Sequence, residues 1–280
     1  RQDRFLPRLS GTLLQLGAGA SFALALLASR DWSDLPVLNG LYFGCLIVSL
    51  SAFVSGWLIN QRSRSQAGDS WSGVLLVWAL LWWFGGGIGE IDRQVTYEWF
   101  AGVSLLYISA SAVALTVLSQ RLAWHHLGIP AMALWPLMLL VALNRLEDDP
   151  LGHFLAGGDW LGWAGFFAAH GVLIRRADWP RAWLRAGHSG GLFLLVLFLA
   201  VELGWLASGL HGTDATGTWR VAVWGLIPAL AILALAGNRL DSVWPVRDHT
   251  GAYKGPGLYP VMAVSGLWLV LAWGHPGGMA

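Results

Sequence analysis

The chain has 280 residues, 56% hydrophobic and 12% charged, with 19 Trp and a mean hydropathy of +0.56, whereas soluble domains carry about twice that charged fraction. A net charge of +1 spread thinly along the sequence excludes the basic stripe of a nucleic-acid binder, and so much apolar side chain excludes a water-soluble core. The class that remains is an all-α, polytopic transmembrane bundle.

A hydrocarbon layer about 30 Å thick takes roughly 20 residues of helix. Nine stretches approach that length, at about 10–28, 36–59, 71–89, 99–119, 123–143, 154–174, 189–209, 219–237 and 258–274. All are expected to be helical, because backbone polar groups in lipid must be satisfied within the segment and no stretch alternates like a barrel strand. The chain opens Arg1-Gln2-Asp3 without an initiator Met, and its first apolar run is too long for a signal core. Residues 1–280 are therefore expected to be one transmembrane domain cut from a longer polytopic protein.

The Lys and Arg residues orient these spans. With the amino terminus cytoplasmic, thirteen fall inside (Arg1, Arg4, Arg8, Arg62, Arg64, Arg121, Arg175, Arg176, Arg181, Arg185, Arg239, Arg247 and Lys254). Only Arg30, Arg93, Arg145 and Arg220 fall outside. Basic residues concentrate on the cytoplasmic side of membrane proteins. The amino terminus is thus expected inside and the carboxyl terminus outside.

In chain order, the first span pairs Gly17 with Ser21 and the second pairs Ser51 with Ser55, spacings that let helices approach closely. Cys45, the single cysteine, lies within the second span and cannot form an intramolecular disulfide. The third span ends Trp82-Trp83-Phe84-Gly85-Gly86-Gly87-Ile88-Gly89-Glu90-Ile91-Asp92. Each glycine weakens a helix by about 1 kcal/mol relative to Ala, so the span can break there and deliver Glu90 and Asp92 to an outward cavity. Without it, the run is a frayed helix end with solvated acids. Ser109, Ser111 and Ala112 give the fourth span a small-residue face.

His125 and His126 open the fifth span but, being adjacent, point to different faces. The acidic loop Glu147-Asp148-Asp149 follows it. Asp159 precedes the apolar run of the sixth span, the position of an N-cap, and Thr218 or Asp214 stands likewise before the eighth. His170 reads as an interfacial side chain at the inner end of the sixth span. The loop Arg175–Arg185 is basic and aromatic, suited to anionic head groups, although orientation alone explains its charge.

Glu202 is the only carboxylate well inside a span, seven residues before Gly209 and so about 10 Å below the outer end at helical rise. An ionised acid there costs about 2.5–3.5 kcal/mol on insertion scales, and such residues commonly face cavities or partners. The simpler role is a structural hydrogen bond to a neighbouring helix. The ninth span is interrupted by Pro260.

Most of the tryptophans, including Trp32, Trp71, Trp99, Trp124, Trp160, Trp219 and Trp244, stand at span ends as interfacial anchors. Trp78, Trp135, Trp205 and Trp224 lie within spans, and aromatic faces of this kind can bind sugars or lipid head groups. No H-x-x-x-H or C-x-x-C pair, phosphate-cradling loop or nucleophile elbow occurs. No metal, cofactor or catalytic residue is assigned.

Four runs carry a resemblance: Gly158-Asp159-Trp160-Leu161-Gly162-Trp163 leading to Ala169-His170; Val201-Glu202-Leu203-Gly204-Trp205; Trp219-Arg220-Val221-Ala222-Val223-Trp224-Gly225-Leu226-Ile227-Pro228; and Val243-Trp244-Pro245-Val246-Arg247 leading to Gly251-Ala252-Tyr253. Over roughly residues 120–275 the chain resembles the carboxyl-terminal part of a large family of uncharacterised bacterial polytopic membrane proteins of unknown function. The resemblance implies a bacterial inner-membrane location and a longer parent protein. It supplies no catalytic residues.

These observations lead to an inner-membrane bundle with an outward acidic cavity, in which Glu202, Trp205, Glu90, Asp92 and Asp159 bind or pass a small polar, cationic or lipid-linked envelope substrate. A membrane-embedded enzyme acting on envelope glycans or lipids is the alternative, with Glu202 or Glu90 as general acid or base. A scaffold for other membrane proteins is a third reading. Membrane lipids are the expected partners in every case.

Overall fold

The computed structural model describes residues 5–28, 35–62, 66–148, 153–176, 178–210 and 218–274. Trp32, Arg64, Asp149, His211, Asp214 and His275 fall outside them. The chain divides into two compact units, Arg1–Ile129 and Pro130–Ala280.

The first unit contains α1 (Phe5–Ala28), α2 (Gly40–Arg62), α3 (Gln66–Gln94) and α4 (Tyr97–Arg121), followed by the start of a 3₁₀ segment, His125–Ala133. The second contains α5 (Leu134–Asp148), α6 (Asp159–Arg176), α7 (Arg181–Leu210), α8 (Thr218–Ala236), the short α9 (Thr250–Tyr253) and α10 (Leu258–Trp273). Every predicted span coincides with a helix, and no strand occurs among the described residues. Among the described residues, seven segments are long and apolar enough to cross a membrane; of the other two predicted spans, Leu9–Ala25 of α1 forms a shorter apolar stretch and α6 is not among the seven. The chain is thus all-helical with multiple membrane-spanning segments. Its many exposed Leu and Val side chains would be anomalous in water and are ordinary against lipid.

In the first unit α2 and α3 pack most closely. Their seam is made of small residues, with Ser49, Ala52, Ser72 and Ala79 all fully buried. Ser49 Oγ donates to the Ala79 carbonyl at 2.9 Å and Ser72 Oγ to the Gly56 carbonyl at 3.1 Å. The close face is thus Ser49-Ala52-Gly56 rather than the expected Ser51-Ser55. Ser51 instead receives a bond from Gln15 of α1 at 3.0 Å.

The glycine run does not break α3, which continues to Gln94. Gly86 and Gly87 are consumed by packing instead. A side chain at Gly86 would lie 2.5 Å from Cys45 Cβ, and one at Gly87 would strike the Tyr107 hydroxyl. Tyr107 in turn donates to the Trp83 carbonyl at 2.9 Å, and the Trp83 indole donates to Ser111 at 3.0 Å. Loss of helix propensity is offset by close helix contact.

The second unit repeats this use of glycine against aromatic rings. Trp135 covers Gly190, Trp224 lies against Gly204 and Trp268 covers Gly225. Trp78 does the same to Gly19 in the first unit. Three of the four in-span tryptophans singled out from the sequence are thereby explained as packing partners. Trp163 centres an aromatic cluster with Phe154, Phe166, Phe167 and Phe198. Between α8 and α10 the chain turns back onto α7, burying Val246 and Tyr253 with Leu235 and closing on an ion pair of Lys254 with Asp241 at 2.7 Å.

Candidate functional site

Two carboxylate centres emerge, one in each unit. In the first, Glu90 near the end of α3 is 6% exposed. It accepts the Val37 N–H at 2.8 Å and the Asn39 amide at 2.9 and 3.0 Å, and it pairs with Arg93 one turn on. Asn39 caps α2 by accepting the Tyr42 N–H at 2.8 Å, and it donates also to the Leu35 carbonyl at 3.1 Å. Val37 has a positive φ of 62°, an unfavourable region for a β-branched residue. Every oxygen of Glu90 is engaged, so this centre is a latch holding residues 35–39 to α3. Asp92 lies outside it, exposed.

In the second unit, Glu202 of α7 accepts the Phe154 N–H at 2.5 Å and the Leu155 N–H at 3.2 Å through Oε1. Its Oε2 lies 3.2 Å from His153 Nδ1. Trp205, one turn along α7, stacks on the His153 ring with 4.0 Å between centroids and 22° between planes. The side chains of Glu202 and His153 are 13% and 22% exposed, and Trp205 is 44% exposed. The carboxylate is fixed by backbone donors on one oxygen. The other faces the His153 imidazole, beside an open aromatic face.

Asp159 belongs to neither centre. It begins α6, is buried, and pairs with Arg145 of α5 at 2.5 Å. Two of the arginines counted as outside by the charge rule, Arg93 and Arg145, are thus each committed to a buried acid.

The sequence did not pair His153 with Glu202, and it missed Asn39 and a buried histidine group. His188 Nδ1 lies 2.9 Å from the Tyr253 hydroxyl, with its ring 4.0 Å from that of His249. His170, expected at the interface, is 5% exposed, packed on Phe166 and directly over Gly191. Burial follows because Gly191 leaves room for the ring. Trp124 is also corrected: it is 1% exposed and sits in a core with Leu76, Leu115 and Leu127 rather than anchoring at the surface. Of the remaining named anchors, Trp99, Trp160 and Trp219 are exposed, and Trp244 lies under the Arg175 guanidinium at 3.6 Å. Among the described residues no three His, Cys, Asp or Glu side chains are grouped to hold a metal ion. Asn39 had a readable signal, as Asn directly before an apolar helical run; His153 had none, since its partner lies 49 residues away.

Residues 70–277 match the family described as "Predicted membrane protein (DUF2339)". No curated protein and no solved structure matches the chain.

Proposed function

The chain belongs to that family of membrane proteins, and from this premise we propose that it is a bacterial inner-membrane protein binding or translocating a small polar or lipid-linked envelope substrate at the Glu202 centre. In this reading it crosses the membrane nine times, with the amino terminus cytoplasmic and the Glu202 end of α7 outward. The thirteen-to-four bias of basic residues supports that orientation.

The observation that carries the reading is the trio of Glu202, His153 and Trp205. A carboxylate held by backbone donors is preorganised and needs no rearrangement to receive a ligand. An exposed indole face beside it suits a sugar ring or a head group. Glu90, fully engaged by Asn39, Arg93 and Val37, positions backbone, while Asp92 adds exposed negative charge at the end of α3.

The test is a thermal-shift panel of polyamines, soluble sugars and lipid-linked glycans on the purified chain. Wild type should be stabilised by one of these classes, and Glu202→Gln and Trp205→Ala should lose that stabilisation. An undiminished shift in Glu202→Gln would remove the proposal. A second reading, general acid–base catalysis on an envelope glycan or lipid, is favoured by the 3.2 Å His153–Glu202 contact. It requires product formation that disappears in both Glu202→Gln and His153→Ala.

A further inference from the structure

Helices α2 and α4 flank α3, and between them runs an apolar groove of about 280 Å³. Val54 and Trp57 form one wall and Ala114 and Leu118 the other, with Trp124 and Leu127 at one end. Val54 is 53% exposed and Leu118 42%, so the groove opens sideways between two membrane-spanning helices. In a bilayer that opening faces hydrocarbon.

Its length and its ends restrict what can occupy it. Along α4 it extends from Ser111 to Leu122, about 16 Å at 1.5 Å per residue and roughly half of a ~30 Å hydrocarbon core. That is the depth of one leaflet. At the Leu122 end, Gln61 Nε2 donates to the Leu122 carbonyl at 2.9 Å, placing Arg62 and Arg121 next to the two bonded residues. Both arginines are exposed, and neither forms an ion pair among the described residues. Trp57 and Trp124, which line the same groove, have buried indole N–H groups without an acceptor among the described residues.

We propose that this groove binds one acyl tail of an anionic phospholipid from the leaflet at the Arg62 and Arg121 end, with the lipid phosphate held by the two guanidinium groups. An apolar slot matches methylenes, and guanidinium forks match phosphate oxygens. A second helix, ~10 Å across with its side chains, is too wide for a cavity of this volume. The site shares no residue with the Glu202 centre and stands or falls without it.

The experiment uses the whole chain in nanodiscs of phosphatidylglycerol or phosphatidylcholine, each carrying a diazirine in its acyl tail. Phosphatidylglycerol should label α2 and α4 along the groove well above the exposed face of α10, and phosphatidylcholine should label them weakly. Ala114→Trp, at an exposed position of the groove wall, should reduce groove labelling to the α10 level. Arg62→Gln with Arg121→Gln, which leaves the core untouched, should weaken phosphatidylglycerol retention about thirtyfold, equivalent to about 1 kcal/mol per basic residue. Equal labelling by the two lipids, or undiminished phosphatidylglycerol retention in the double arginine variant, would overturn the assignment. So would an oxidised dimer formed through Val54→Cys in a Cys45→Ser background, which would put a second copy over the groove.

Discussion

The imidazole of His153 lies flat on the indole of Trp205, 4.0 Å between ring centroids, although 52 positions separate them in the chain. The stack holds the residues around His153 against α7, and Glu202 completes the hold by accepting the next two backbone N–H groups. Stability and any ligand chemistry at this centre therefore share the same atoms.

Removing the Glu202 carboxylate should expose that dependence. Glu202→Ala strands the part-buried Phe154 N–H, while the Leu155 N–H is exposed to other partners; a buried donor left unpaired costs about 1–3 kcal/mol, so a loss of about 1 kcal/mol is expected. Glu202→Gln keeps one acceptor oxygen and should lose about half as much. Unfolding of both variants in the same detergent, followed by circular dichroism, compares them. Equal stability of wild type and Glu202→Ala would show that the contact is not maintained.

The Glu90 latch predicts opposite signs for two neighbouring changes. Asn39→Ala removes two donors to Glu90 and the cap of α2, and should destabilise by about 1–3 kcal/mol. Val37→Gly relieves the positive φ while keeping the N–H that bonds Glu90, and should stabilise by about 1 kcal/mol. Denaturation midpoints of the two variants, measured side by side, give the signs directly.

The glycines of α3 should separate by position. At Gly85 and Gly89 a methyl group meets nothing within 4 Å, so Ala there should stabilise by up to about 1 kcal/mol. At Gly86 and Gly87 it meets Cys45 and Tyr107, and overpacking of that kind costs about 1–3 kcal/mol. Thermal unfolding of the four single Ala variants checks the division. A uniform response would mean that propensity alone governs the run.

The proposed orientation is tested with single cysteines in a Cys45→Ser background. Cysteine at Arg185 and at Arg239 should be shielded from an impermeant maleimide added outside intact cells. Cysteine at Glu98 and at Thr218 should react. Labelling of Arg185 and Arg239 from opposite sides would refute the nine-crossing arrangement.

The helices were legible because hydrophobic runs of bilayer length have few alternatives, and each predicted span met a helix. The glycine run of α3 was misread because propensity is a local quantity, whereas Gly86 and Gly87 answer to Cys45 and Tyr107 on other helices. Glu202 was visible as an acid in apolar sequence. Its donors were not, since backbone N–H groups carry no residue-type signal and those of Phe154 and Leu155 join it only through the fold. The groove between α2 and α4 was equally hidden: Trp57, Ala114 and Leu118 look like any apolar positions until helix packing leaves space between them.

The two carboxylate centres are also ordered in time. Val37 and Asn39 precede Glu90 by 53 and 51 residues, and Phe154 precedes Glu202 by 48. At about 5–20 residues per second a ribosome makes the donors roughly 2–10 seconds before the acid that needs them. When each carboxylate reaches the translocon, its amide partners have already been delivered, and the negative charge need not wait alone in oil for a later segment to arrive.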